Sequence, residues 1–240
     1  HTYRAGADTQ ACLGDAVLGY VNAQGLGTPG AARSFIRDVA LQYNDSLVDT
    51  TGLLGLETVG GNLWVAHNYI LENIDGLVNV ESVGGLVFIT ENILPNFDGL
   101  SKLESIGGHL ILSWSPFLAN VDGLSKLKSV GGDLWINNLV DLETVDGFAS
   151  LETVGGYVRF SHLPLVTNLD GLGSLQKAGD FLQIDNNPLL ANLDGLSALK
   201  TVDDFLFVEN NGALERVDGL SNLGSVGGSI RVTGNTALKA

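Results

Sequence analysis

Residues 127–150 read LKSVGGDLWINNLVDLETVDGFAS, and residues 151–174 follow at once with LETVGGYVRFSHLPLVTNLDGLGS. These are two versions of one 24-residue unit. After each Gly-Gly pair, apolar and polar residues alternate: Leu134-Trp135-Ile136-Asn137 in the first, Val158-Arg159-Phe160-Ser161 in the second. Period-two alternation marks a strand with one buried face. The Asp-Gly and Gly-Gly pairs are expected to supply the positive-φ residues that sharp corners need.

The same markers recur over most of the chain. Asp-Gly-Leu, or Asp-Gly-Phe once, starts at Asp75, Asp98, Asp122, Asp146, Asp170, Asp194 and Asp218, with one spacing of 23 and five of 24. In step with it run Val59, Val83, Ile106, Val130, Val154, Ala178, Val202 and Val226, six of them followed directly by Gly-Gly. Two short strands and their turns leave no room in such a unit for a helix of about 10 residues. The pattern predicts a mostly β chain: a parallel β-solenoid over residues 51–240, about eight 24-residue coils stacked ~4.8 Å apart. Its inward columns are Leu63, Val87, Leu110, Leu134, Val158, Leu182, Leu206 and Ile230, with Val65, Ile89, Leu112, Ile136, Phe160, Ile184, Val208 and Val232 beside them.

Residues 1–50 depart from the pattern. Leu13, Val17, Tyr20 and Val21 fit one helical face, and Ile36, Val39, Ala40 and Tyr43 another, which predicts a helical N-terminal cap over residues 1–50. The chain starts at His1 without any Met, as a processed or trimmed product would. It stops at Ala240 within a coil, so a further coil, domain or partner is expected to cover that end.

Composition narrows the function. Twelve Lys and Arg against 27 Asp and Glu give a net charge of −15, which argues against nucleic acid or an anionic membrane as the partner. A lone cysteine, Cys12, forms neither an internal disulfide nor a cysteine-rich metal site. No apolar run approaches the roughly 20 residues that span a bilayer, so no membrane insertion is expected.

The string Leu-x-x-Val-x-Gly-x-Leu-x-Ile-x-x-Asn-x-x-Leu, carried with one departure at Leu127 to Leu142 and two at Leu199 to Leu214, resembles the receptor L-domain. That module forms ligand-binding lobes of animal growth-factor receptors and occurs in microbial surface proteins. The resemblance spans most of residues 53–240 and implies a right-handed, leucine-rich β-helix at the cell surface or outside the cell. The chain lacks the receptors' usual disulfides and is more regular, so it is more similar to microbial surface relatives, and receptor signalling does not carry over.

Outward positions on the main strand are not dictated by packing. They run Trp64, Phe88, Ile111, Trp135, Arg159, Gln183, Phe207, Arg231, flanked by a column that includes His109, Asp133, Tyr157, Phe181 and Phe205. An exposed strip of large apolar residues marks an interaction surface. Trp64, Phe88, Ile111, Trp135, Tyr157 and Phe207 are therefore the candidate ligand-binding residues, for a protein or a glycan. The N-terminal segment or a second copy of the chain, giving a homodimer, would equally cover such a strip. No Lys or Arg lies between Arg37 and Lys102, whereas nine acidic residues do, which suits a cationic protein partner or simply a solvated face.

Other chemistry has less support. Stacked Asp residues at Asp75 to Asp218 suggest calcium, but an Asp before Gly at a corner commonly accepts backbone N–H bonds, and no second carboxylate recurs with it. The columns Asn73, Asn96, Asn120, Asn168, Asn192 and Asn68, Asn92, Asn187, Asn211, Asn235 read as structural ladders. The hydroxyl column Thr58, Ser82, Ser105, Ser129, Thr153, Thr201, Ser225 resembles an ice-binding surface but is mostly Ser and is interrupted by Lys177. His67, His109 and His162 are scattered, and a polysaccharide-cleaving β-helix would need carboxylates clustered on the outward columns, where Asp133 stands alone. The expectation is a binding module without enzymatic activity, cofactor or metal, with an ice-binding solenoid or a polysaccharide-active enzyme as alternatives.

Overall fold

A computed structural model describes residues 37–239. Nine four-residue strands, from Val39–Gln42 to Ile230–Thr233, pair in parallel in sequence order to form one sheet. Eight two-residue strands, from Thr58–Val59 to Ser225–Val226, form a second parallel sheet in the same order. The chain is a β-solenoid. Between the two sheets each coil but the last makes a 3-10 turn among the described residues, which the Asp-Gly-Leu tripeptide supplies in most coils, as at Asp122–Leu124. Register is kept coil by coil: Leu110 pairs with Leu134, Leu134 with Val158, Val158 with Leu182. A one-residue slip would turn every inward side chain outward, so the alternation fixes the pairing.

Both predicted inward columns are buried up to Val208, and Phe97, Phe148 and Phe160 fill the wider parts of the core. In the last coil Ile230 and Val232 are 59% and 38% exposed, since no coil packs on them among the described residues.

The solenoid begins earlier than predicted. Val39–Gln42 is not a helix face but a strand, paired with Leu63–Ala66, with Val39 and Leu41 fully buried. Asn44 and Leu47 are buried, and Thr51–Leu53 makes the 3-10 turn, so the whole coil follows the pattern. Val39, Leu41 and Tyr43 satisfy a two-residue period as well as Val39 and Tyr43 satisfy a helical one, and pairing with the next coil decides between them. The coils number nine among the described residues. The predicted helix through Leu13 to Val21 lies outside the described residues.

The corners also differ from expectation. The residues at positive φ are Tyr43, His67, Glu91, Trp114, Asn138, His162, Asn186, Asn210 and Gly234, all one place beyond the long strand. None of the Asp-Gly or Gly-Gly glycines is among them. Those glycines answer to close approach: a Cβ at Gly171 would lie 1.9 Å from the Val145 carbonyl oxygen, and one at Gly84 would lie 2.3 Å from that of Gly60. Each is glycine because the preceding coil's backbone occupies the space.

The asparagine columns are structural. Asn120 Oδ1 accepts the Asp122 N–H at 3.1 Å, and Asn73, Asn96, Asn168 and Asn192 make the same turn. The acceptor at this corner is thus the Asn two residues back rather than the Asp itself. In the inner column Asn68 Nδ2 donates to Leu41 O at 2.8 Å and to Asn92 Oδ1 at 3.1 Å, linking three coils. Asn187 and Asn211 repeat the device, and Leu139 and Leu163 fill the slot between with apolar side chains.

Candidate binding face and its corner

The long sheet brings the predicted outward residues into one row. Trp64 pairs with Phe88, Phe88 with Ile111, Ile111 with Trp135, and Trp135 with Arg159. Tyr157 stands in the adjacent column, stacked on Phe181 with centroids 4.7 Å apart and edge-on to Trp135 at 6.3 Å. Phe207 lies three coils beyond Trp135 and stacks on Phe205 at 5.5 Å. All six are half-buried, because each is crowded by the column beside it and the coils on either side. The face is a paved surface rather than a set of projecting side chains.

Its two ends differ in chemistry. Arg159 lies over the Trp135 ring, 5.8 Å from the centroid, and its Nε is 3.4 Å from the buried Asp185 carboxylate. Arg231 lies over Phe207 at 4.5 Å, with Nη2 3.3 Å from Glu209. The rings toward the C-terminus are thus covered by the chain's own guanidinium groups. Among the described residues no guanidinium group covers Trp64 or Phe88. Beneath Arg159 and Tyr157, the Trp135 indole N–H is buried without a hydrogen-bond acceptor, the one such side-chain atom among the described residues.

The most exposed aromatic side chains lie at the corner after the long strand, which the sequence reading did not single out. Trp114, Phe117, Tyr69 and Tyr43 are 58, 57, 56 and 46% exposed, and Ile70, Val140, Leu165 and Leu189 continue the ridge along the solenoid. Tyr43 stacks on His67 with centroids 4.3 Å apart. His67 Nδ1 is 3.0 Å from Glu91 Oε2, which the Tyr69 hydroxyl also approaches, at 3.5 Å. Partial desolvation and the Glu91 carboxylate hold the Tyr69 phenol above its usual pKa, so it remains a neutral donor. The signal available in the sequence was the column itself. From Asn138 onward it reads Asn, His, Asn, Asn, Gly, as left-handed backbone prefers, whereas Tyr43, Glu91 and Trp114 break that preference in three of the four preceding coils.

Elsewhere, a shallow polar cleft lies between Glu152, Gln176, Lys200, Ser174 and Asn222. Its side chains are engaged with one another or with backbone: Lys200 with Gln176, Ser174 with the Ala149 carbonyl, Asn222 with that of Ser197. The hydroxyl column lies on the short sheet, where Lys177 interrupts it and pairs with Asp203 at 2.7 Å. Among the described residues no three His, Cys, Asp or Glu side chains converge as metal ligands, and no helix is long and apolar enough to cross a membrane. No protein-family model matches the chain, and no curated protein matches it in sequence.

Proposed function

We propose that this chain is a non-enzymatic binding module of the receptor L-domain type, acting at the cell surface or outside the cell on a protein or glycan. The observation that carries the reading is the exposed aromatic ridge of Tyr43, Tyr69, Trp114 and Phe117 beside the ring-paved sheet of Trp64, Phe88, Ile111 and Trp135. Contiguous exposed aromatics on a rigid scaffold are the usual make-up of a recognition surface. The location outside the cell rests on the family resemblance alone.

The test is a panel of oligosaccharides and peptides titrated into the full chain. Trp64→Ala combined with Trp114→Ala should abolish binding of whatever ligand is found. The exposed Trp114 makes no contact whose loss would unfold the solenoid, so the melting temperature of Trp114→Ala alone should stay within about 2 °C of wild type. Binding that survives both substitutions, or release of cleavage products from a polysaccharide, would refute the reading.

A further inference from the structure

Cations and rings already meet on this sheet twice, and in the same way. Arg159 sits one coil beyond Trp135 and covers it, with Asp185 as its anion; Arg231 sits one coil beyond Phe207 and covers it, with Glu209 as its anion. In the first four coils the rings continue along the outward row without an arginine in it. Among the described residues no arginine lies over Trp64 or Phe88, and no Lys or Arg occurs between Arg37 and Lys102. The corner beside them adds Tyr43, Tyr69 and Trp114, all exposed, and the carboxylate of Glu91, with Asp45 also near Tyr69. Both neighbours of the Glu91 carboxylate contact a single oxygen, Oε2, so Oε1 makes no hydrogen bond among the described residues.

We infer that the corner and face of the first four coils bind the cationic side chains of a partner protein. An arginine- or lysine-bearing segment lies along the ridge with its cations seated on Trp64, Tyr69 and Trp114 and anchored by Glu91. This deepens the binding-module reading and rests on it. Ring quadrupoles attract cations, most strongly at tryptophan, and a nearby carboxylate adds a charge-assisted hydrogen bond. Arginine fits better than lysine, because its planar, weakly hydrated guanidinium both stacks and pairs bidentately. The net charge of −15 steers a basic partner toward the chain and repels nucleic acid. A neutral glycan would use the rings and could donate a hydroxyl to Glu91, but would lack the ion pair and the long-range attraction.

The test is calorimetric titration of the full chain with a twelve-residue peptide of alternating arginine and glycine. Its citrulline counterpart, which keeps the shape and loses the charge, and a neutral glucose hexasaccharide serve as comparisons. The chain variants are Trp114→Asn, Glu91→Asn and Asp218→Asn, the last removing one exposed charge far along the solenoid. Asparagine suits the left-handed backbone at residues 114 and 91, where φ is 50° and 51°, so the first two variants should melt at or above the wild-type temperature. The arginine peptide should bind about tenfold tighter than the citrulline peptide, a step of ~1.4 kcal/mol. Trp114→Asn and Glu91→Asn should each weaken it about fivefold or more, against less than twofold for Asp218→Asn. Equal binding of the two peptides, or an equal loss from Asp218→Asn, overturns the inference. If the hexasaccharide binds through Trp114 and the peptide does not, the inference fails and the binding-module reading stands. Self-association that Trp114→Asn abolishes would assign the ridge to a second copy and overturn it likewise.

Discussion

Gly171 and Gly173 lie two residues apart in and just after the same 3-10 turn, and replacing each with alanine should move stability in opposite directions. At Gly171 an added Cβ falls 1.9 Å from the Val145 carbonyl oxygen, 2.4 Å from its carbon and 2.7 Å from Asp146 Cα. Real Cβ contacts do not fall below 3.0 Å, so the two coils must separate locally by the difference, about 1.1 Å. The obstruction is backbone and has no rotamer to change. The adjoining inter-coil bonds, Gln176 N–H to Glu152 O at 2.9 Å and Gly179 N–H to Val154 O at 2.9 Å, break if they lengthen that far. Overpacking of this severity costs about 3 kcal/mol or more, which for a chain of this size lowers the melting temperature by roughly 6–12 °C. At Gly173 the backbone is ordinary right-handed helix, φ −60° and ψ −14°, and the nearest atom to an added Cβ is Asp170 O at 3.3 Å. Alanine there restricts the unfolded chain and should add about 0.4–1 kcal/mol, a rise of roughly 1–4 °C. Calorimetry or circular-dichroism melting of the two single variants decides it. If Gly171→Ala is neutral, or if both substitutions stabilise, the close-approach reasoning is wrong.

The buried asparagine ladder gives a second stability prediction. Asn187 Oδ1 accepts the Leu163 N–H at 3.0 Å and its Nδ2 donates to Phe160 O at 3.1 Å, so Asn187→Ala strands a buried backbone donor and should cost about 2–4 kcal/mol in chemical denaturation. A loss below about 0.5 kcal/mol would show that water replaces the side chain. A third prediction concerns pH. The hydrogen-bonded Lys128 holds the Glu104 carboxyl below its usual pKa, and Lys239 does the same to Glu215. Each contribution is present above the ordinary value near 4.5 and is lost as pH falls through the lowered one. Lys128 is itself raised above 10.5 by Glu104, so its share is present below that pH and fades above it. Both pairs are exposed, so the effect is small, and 1 M salt should screen much of it. Lys128→Met with Lys239→Met should flatten the decline of melting temperature between pH 5 and 3; an unchanged slope would assign that decline to other carboxylates.

The stacking of coils was legible because it is written eight times over, and Gly-Gly followed by period-two alternation marks the same strand in each coil. The first coil was not, because its distinguishing marks are replaced: Ile36-Arg37 stands where Gly-Gly would be and Thr51-Gly52 where Asp-Gly would be. The glycines were correctly placed and wrongly explained. A conserved spacing of Gly says that a side chain is unwelcome, and only the inter-coil distance tells a φ requirement from a steric one. On the binding face the sequence located Trp64, Phe88, Ile111 and Trp135 in one row, but alternation says which side a residue faces and nothing about how far its neighbours cover it. The arginines over Trp135 and Phe207 could be read as outward residues, not as lids on rings, because that depends on one coil's side chain leaning onto the previous coil.

The corner column separates what holds the solenoid together from what sets its surface. Every coil needs one residue at positive φ beyond the long strand, and the fold is indifferent to its identity except through the cost of that backbone. Asparagine minimises the cost, and Asn138, Asn186 and Asn210 accept that solution. Tyr43, His67, Glu91 and Trp114 do not, although left-handed backbone costs such side chains on the order of 1 kcal/mol each and none of the four is buried. Packing cannot repay that cost, since Trp114 is 58% exposed. Four successive departures from asparagine, all aromatic or ionisable and three of them in the stretch without lysine or arginine, fit a surface shaped for a partner better than one shaped for stability. Replacing all four with asparagine should therefore raise the melting temperature while removing whatever this edge binds. A quadruple variant that melts lower would show that Tyr43, His67, Tyr69 and Glu91 instead form a stabilising cluster, and that the corner belongs to the architecture.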